Sequence, residues 1–219
     1  LPEYPDITVY IERLEAFTKR QTLQNVRIAN PFLLHTFNSP INSIIGNQII
    51  GFEQMGKRIV FLFDDEYFLV FHLMVAGRFL WREKGEKIPG KIGLAAFDFY
   101  NGSLLMTEAS TKKRASLHLI KGRSELDYFD RGGLEIFETS FEEFCERLVI
   151  ENHTLKRALT DPSVFSGIGN AYSDEILHRA KLSPIQLKQK MDDEQIERLF
   201  QATKQILTEW TKKNKGRNR

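Results

Sequence analysis

Between about Ile120 and Thr139 the hydrophobic period changes from that of strands to that of helices, and that change limits the fold this chain can adopt. From about Gln48 to Ile120 the apolar residues come in short runs dense in β-branched and aromatic side chains. Arg58-Ile59-Val60-Phe61-Leu62-Phe63 and Tyr67-Phe68-Leu69-Val70-Phe71 are two such runs, separated by Asp64-Asp65-Glu66. Runs of this kind, bounded by turn residues, read as paired strands. Asn101-Gly102 lies between Ala96-Phe97-Asp98-Phe99-Tyr100 and Leu104-Leu105-Met106, a strong hairpin signal. Strands at this spacing predict a sandwich or barrel.

Beyond about Thr139 the spacing is helical. Ile196, Leu199, Phe200, Thr203, Ile206, Leu207 and Trp210 form one stripe of a long helix. Asp192, Asp193 and Glu194 stand at its start and Lys212, Lys213 and Lys215 at its end, as the helix dipole favours. Ile7, Ile11, Leu14 and Phe17 mark another helix, from Ile7 to about Lys19. The expected class is α+β: an N-terminal β-sandwich with an N-terminal helix over 1–125, a glycine-containing linker over 126–139, and a helical domain over 140–219.

Composition adds exclusions. No apolar run is long enough to span a bilayer, and no signal peptide is visible. Cys145 is the single cysteine, so neither an internal disulfide nor a Cys-rich zinc site can form within these residues. A reducing, cytoplasmic setting is the expectation. The net charge of +2 does not by itself announce a nucleic-acid partner, so the placement of charge has to decide.

The densest local signal is Phe165-Ser166-Gly167-Ile168-Gly169-Asn170-Ala171-Tyr172-Ser173-Asp174-Glu175-Ile176-Leu177. Glycines allow a sharp turn and close approach to a ligand. The amides of the helix that follows suit a phosphate. Alone, this reads first as a plain connection between helices. Before it, Asn152-His153-Thr154-Leu155-Lys156-Arg157-Ala158-Leu159-Thr160 reads as a short helix and Asp161-Pro162 as a turn. The helix after the glycines should run to about Ala180, since Lys181-Leu182-Ser183-Pro184 stops it. The unit resembles the helix–two-turns–helix module of the formamidopyrimidine-DNA glycosylase / endonuclease VIII family. By that resemblance Lys156, Asn170 and the amides near Gly169 grip phosphates around a damaged nucleotide.

The start of the chain carries the same resemblance. Leu1-Pro2-Glu3-Tyr4-Pro5-Asp6 is similar to the family's Pro-Glu-x-Pro-Glu/Asp opening, whose terminal proline is the nucleophile. An α-amine titrates at about pH 8, so a useful share is unprotonated near neutrality. Such an amine can attack a sugar C1′ and leave an iminium. Glu3 is then the expected proton donor to the ring oxygen, and Asp6 stands in the first turn of a helix, where a carboxylate is favourable. Prolines at both positions also simply stiffen a terminus. With Leu1 attached, the Pro2 nitrogen is an amide and no nucleophile. The expectation is that Leu1 is a start codon read literally and removed as Met. A chain that keeps it would be inactive by this route.

Further residues follow the resemblance. Gly56-Lys57-Arg58 is similar to the Gly-Lys pair whose lysine reaches the phosphate at the damaged site and stabilises developing charge; Lys57 also reads as a solvated turn lysine. His72-Leu73-Met74-Val75-Ala76-Gly77-Arg78 resembles the segment with a phosphate-contacting histidine and a residue wedged into the gap left by the flipped base. His72 would be that histidine, though a lone strand histidine is commonly core. Val75 or Met74 would be the wedge. The Arg-x-Phe that reads the opposite base in many members is absent at Glu108-Ala109-Ser110-Thr111-Lys112-Lys113-Arg114-Ala115. Lys112, Lys113 and Arg114 instead form a basic cluster suited to the DNA backbone or to solvent.

Members usually continue into a four-cysteine zinc finger or a zincless equivalent. The basic tail Lys215-Gly216-Arg217-Asn218-Arg219 suggests truncation before one. No cofactor or metal is expected within these residues; zinc would come only with such a finger. The resemblance implies a monomeric, nucleoid-associated glycosylase and abasic-site lyase acting on damaged double-stranded DNA. An inactive DNA-binding relative and an RNA-binding protein are the alternatives.

Overall fold

The computed structural model describes residues 1–36, 39–149 and 153–217. Asn152 and the last two residues of the basic tail, Asn218 and Arg219, lie outside the described residues. Two compact units emerge: Leu1–Pro2 with Tyr10–Phe129, and Glu3–Val9 with Asp130–Arg219. The division at 129/130 falls inside the expected 126–139 linker. The grouping of Glu3–Val9 with the second unit has no counterpart in the sequence reading.

The first helix, α1 (Tyr4–Thr18), begins a turn earlier than its apolar stripe suggests. The cause is a cap. The Glu3 carbonyl accepts the N–H groups of Asp6 and Ile7, and Asp6 Oδ2 accepts the Glu3 N–H at 2.9 Å. A carboxylate reaching back from the third helical position is half of a capping box, and Pro5 in the first turn removes no needed donor.

The first unit is built on β1 (Asn25–Ile28), β2 (Ile49–Met55), β3 (Arg58–Phe63), β4 (Tyr67–His72), β5 (Gly77–Arg82), β6 (Gly93–Phe99), β7 (Gly102–Glu108) and β8 (Ser116–Lys121). They form two four-stranded sheets, ordered β1-β6-β7-β5 and β2-β3-β4-β8, with antiparallel pairing throughout. Phe71 on β4 touches Phe79 on β5 and Phe97 on β6, at 5.1 and 5.4 Å between ring centroids. Aromatic side chains from both sheets therefore share one core, and the expected sandwich is what forms. The β3–β4 and β6–β7 hairpins sit at the turns expected of them. Asp65 and Glu66 take positive φ in the first, and Gly102 lies against the Trp81 ring in the second. Tyr10 and Phe17 of α1 pack on Phe79 and Trp81. Residues at the start of the expected linker fold: Arg123–Asp127 form α2, with Leu126 buried against β3 and β4 side chains.

Between β4 and β5 the chain turns tightly. Met74 has φ 53°, a left-handed conformation costly for a side chain. Gly77 donates its N–H to the Leu73 carbonyl at 2.9 Å, and a Cβ on Gly77 would lie 2.2 Å from that same oxygen. Gly77→Ala is expected to cost about 3 kcal/mol or more through this backbone clash, read as a lower urea midpoint. An unchanged midpoint would mean that the turn can relax.

The second unit holds α3 (Phe141–Val149), α4 (Leu155–Thr160), α5 (Asn170–Ala180) and the long α6 (Asp193–Arg217), together with the first turns of α1. The α6 stripe behaves as its spacing requires: Leu199, Phe200, Thr203, Ile206 and Leu207 are buried, with Ile196 and Trp210 packed at the margin. Phe144 stacks on Phe165 and meets Phe200. Two turns join α4 to α5. The first is closed by Asp161, whose Oδ1 accepts the Ser163 N–H and hydroxyl. The second passes through Gly167 at φ 77°, a value glycine alone adopts readily. The helix α5 ends at Ala180 as expected, with Lys181 left-handed at its cap.

Candidate active site

The N-terminus of α5 has no capping side chain of its own. Glu3 supplies one from the other end of the sequence. Its Oε2 accepts the Gly169 N–H at 2.7 Å and the Tyr172 N–H at 3.2 Å, and its Oε1 accepts the Ala171 N–H at 3.0 Å. At 3% exposure this is a buried carboxylate whose donors are all backbone. The Tyr4 N–H donates to the Gly167 carbonyl at 2.9 Å, so the chain beside Glu3 is pinned to the same glycine turn. Three of about four acceptor sites on the carboxylate are taken. One remains on Oε1 for a proton in transit.

Asp6 is held from two directions. Besides the Glu3 N–H on Oδ2, its Oδ1 accepts Asn214 Nδ2 at 2.9 Å and the Tyr172 hydroxyl at 3.4 Å. Burial, the largest cause, together with the Asp6 and Glu3 carboxylates and against the opposing Asn214 hydrogen bond, pushes the Tyr172 phenol up to about 12. The phenol therefore keeps its proton. Lys156 Nζ donates to the Asn170 carbonyl at 2.8 Å and to Asp174 Oδ1 at 2.5 Å. Its ammonium is thus fixed at the first turn of α5, and the Asn170 side chain is exposed.

In the first unit a cationic group surrounds His72. Burial pushes the ring from 6.5 down to about 4, and Arg58, Lys57 and the N-terminal ammonium push the same way. Nδ1 accepts the Met74 N–H at 3.2 Å, which leaves Nε2–H as the outward donor. Lys57 follows Gly56, which turns the β2–β3 hairpin at φ 61°. Val75 is 67% exposed at the tip of the β4–β5 turn, and Met74 is half-buried.

The His72 shift has a stability consequence. Its folded value lies below the unfolded one, so between about pH 6.5 and pH 4 the unfolded chain binds a proton that the folded chain does not. Stability falls as pH drops through that window, by about 1–2 kcal/mol once solvent screening of a part-exposed ring is allowed for. His72→Gln is expected to flatten this stretch of the profile, measured by urea midpoints at several pH values. A slope that survives the substitution would show that other groups set it.

The comparisons with known proteins agree with one another. Residues 1–130 match the formamidopyrimidine-DNA glycosylase N-terminal domain, and residues 134–219 match the formamidopyrimidine-DNA glycosylase H2TH domain. The chain belongs to the formamidopyrimidine-DNA glycosylase family. Proteins of that name from Mycoplasma genitalium and Oceanobacillus iheyensis are 27% and 28% identical over 211 and 215 residues. Each alignment covers 94% of this chain, and 74% and 75% of the relatives. A Lactococcus lactis Fpg in complex with abasic-site DNA has the same fold, at TM-score 0.87 and 24% identity over 96% of this chain and 79% of its own.

With the family in hand, the residues expected from sequence fall into two groups. Glu3, Asp6, Lys156, Gly169 and Asn170 gather in the second unit; Pro2, Lys57, His72, Met74 and Val75 belong to the first. Two of the expected phosphate donors differ in detail. The Gly169 amide is already engaged by Glu3. Lys113 Nζ donates to the Glu108 and Ser110 carbonyls within its own loop, whereas Lys112 and Arg114 are exposed. The buried Glu108 carboxylate shapes that loop by accepting the Ser110 hydroxyl and the Arg114 and Ala115 amides. Sequence reasoning missed Glu108, Tyr172 and Asn214. Tyr172 stood inside the glycine motif; nothing local marked the other two.

No cluster of three His, Cys, Asp or Glu side chains among the described residues could hold a metal. The zinc of a family finger thus has no ligand set in them. No helix among the described residues is long and apolar enough to cross a membrane.

Proposed function

We propose that the chain excises an oxidised base from duplex DNA and then cleaves the strand, through an iminium formed on Pro2 once Leu1 is absent. As a member of its family it is a DNA glycosylase of base excision repair. The observation that carries the finer reading is the Glu3 carboxylate, buried beside Pro2 in sequence and anchored by three α5 amides. A side chain held this firmly can meet a sugar ring without rearranging.

The Pro2 nitrogen pair forms a bond to C1′, and the C1′–base bond breaks with its pair going to the base, which takes up a proton. The nitrogen then loses its N–H proton to solvent, and the pair so freed forms C=N⁺ as the C1′–O4′ bond breaks, while O4′ takes a proton by way of Glu3. Loss of a C2′ proton expels the 3′ phosphate, and a second elimination expels the 5′ phosphate. Lys57, His72, Lys156 and Asn170 hold the backbone phosphates, with Lys112 and Arg114 adding sequence-independent attraction. Val75 is the wedge and Met74 supports it. In this reading the protein works as a monomer without a cofactor, near the nucleoid.

If Leu1 stays on Pro2, the second reading applies: a DNA-binding relative with no lyase step. Strand cleavage decides. At one fixed salt concentration, a chain beginning at Pro2 should cut an abasic-site duplex and bind it more tightly than structured RNA. Tight binding without cutting would select the inactive relative, and a preference for RNA would reject both.

A further inference from the structure

We infer that Asn214, near the end of α6, is a positioning residue for the reaction at Pro2, acting through Asp6 and Tyr172. The inference rests on the reaction proposed above. Asn214 is 208 residues from Asp6 in sequence, yet its Nδ2 lies 2.9 Å from Asp6 Oδ1 and 3.1 Å from the Tyr172 hydroxyl oxygen. A carboxamide nitrogen carries two hydrogens. Here one points to each partner, so neither is left for another role.

The chain of bonds then runs toward the reacting end. The Tyr172 phenol keeps its proton and donates a hydrogen bond to Asp6 Oδ1, 3.4 Å away. Asp6 Oδ2 accepts the Glu3 N–H at 2.9 Å. That N–H belongs to the Pro2–Glu3 peptide, whose plane includes the Pro2 Cα. Fixing the N–H fixes the plane one bond from the Pro2 nitrogen. Tyr172 closes the circuit from the other side, because its backbone N–H donates to Glu3 Oε2. The three helices α1, α5 and α6 thereby meet in one hydrogen-bonded ring around the residue that follows the amine. A bare packing contact would not need this arrangement. Trp210, one turn earlier on α6, already packs its ring on Tyr172 at 5.8 Å.

The test uses chains beginning at Pro2 and a duplex with one abasic site. Borohydride trapping gives both a rate and an end-point amplitude. Asn214→Leu should lower the single-turnover rate about tenfold, with full amplitude and with Kd for a non-cleavable tetrahydrofuran duplex changed less than about twofold. Tyr172→Phe, which keeps the ring on Trp210, should lower the rate in the same way and decides the matter if Asn214→Leu does not fold. Asn214→Asp adds a pH signature. The introduced carboxyl would face Asp6 from α1 and the Tyr172 phenol from α5, with Glu3 behind them and Lys213 and Lys215 beside it on α6. Its rate, divided by that of the unsubstituted chain, should rise as pH falls and the carboxyl regains a proton to donate. Rates equal to the unsubstituted chain, or reduced amplitude at an unchanged rate, would overturn the positioning role alone. No adduct from the unsubstituted chain would overturn the reaction itself, and this inference with it.

Discussion

A chain whose first residue is Pro2 is expected to be captured on abasic-site DNA by borohydride, and the same chain carrying Leu1 is not. The difference should exceed about a thousandfold, because it is a difference in chemical kind. In the longer chain the Pro2 nitrogen is a tertiary amide, its pair delocalised into the Leu1 carbonyl. In the shorter one it is a secondary amine that titrates at about pH 8. A secondary amine yields an iminium that keeps its positive charge, which is the species borohydride reduces. Pro2→Gly leaves a primary amine, whose imine must be protonated before borohydride reduces it, and is expected to weaken capture. The N-terminal mass of each preparation must be known for the comparison to mean anything. Capture of the Leu1 chain at a comparable rate would place the nucleophile elsewhere, and the lysines would then be the first residues to examine.

Glu3→Gln should separate the two tasks of that carboxylate. Excision and strand cleavage are expected to fall by about 10²–10⁴, the usual range for loss of a positioned proton donor. The fold should lose about 2–3 kcal/mol as well. The three amides of Gly169, Ala171 and Tyr172 are all donors, and a carboxamide offers them one oxygen and one NH₂ group. One amide then faces another donor and is left unsatisfied in a buried setting. Duplex binding should change little, because the Lys57, Lys156 and Arg114 cations are untouched. The measurements are single-turnover rates, urea midpoints and Kd on one preparation. A variant that loses stability but keeps its full rate would make Glu3 a helix cap only.

What could be read from the residues in order was whatever depends on near neighbours. The continuous apolar runs Arg58–Phe63 and Tyr67–His72, the Asn101-Gly102 turn and the three-to-four spacing along α6 each mark an element and its burial. These patterns span a few residues, so they survive without knowledge of the rest of the chain. They were enough for the sandwich, the helical unit and the glycine turn before α5. The apolar stripe marks α1 only from Ile7, because the Glu3–Asp6 cap is polar and leaves no apolar trace.

Hydrogen bonds between distant segments were not legible. Glu3 meets Gly169 across 166 residues, and Asn214 meets Asp6 across 208. A carboxylate or carboxamide carries no period that names its partner, and its bonds appear only when the folded chain brings donor and acceptor within reach. The same holds for Lys156 and Lys113, whose ammonium groups the sequence offered to phosphate and the fold ties to Asp174 and to loop carbonyls. Local residue order suffices to mark the main elements and the residues that carry reactive groups. Tertiary structure alone decided which of those groups are held still, because stillness comes from donors that folding brings in from far along the chain.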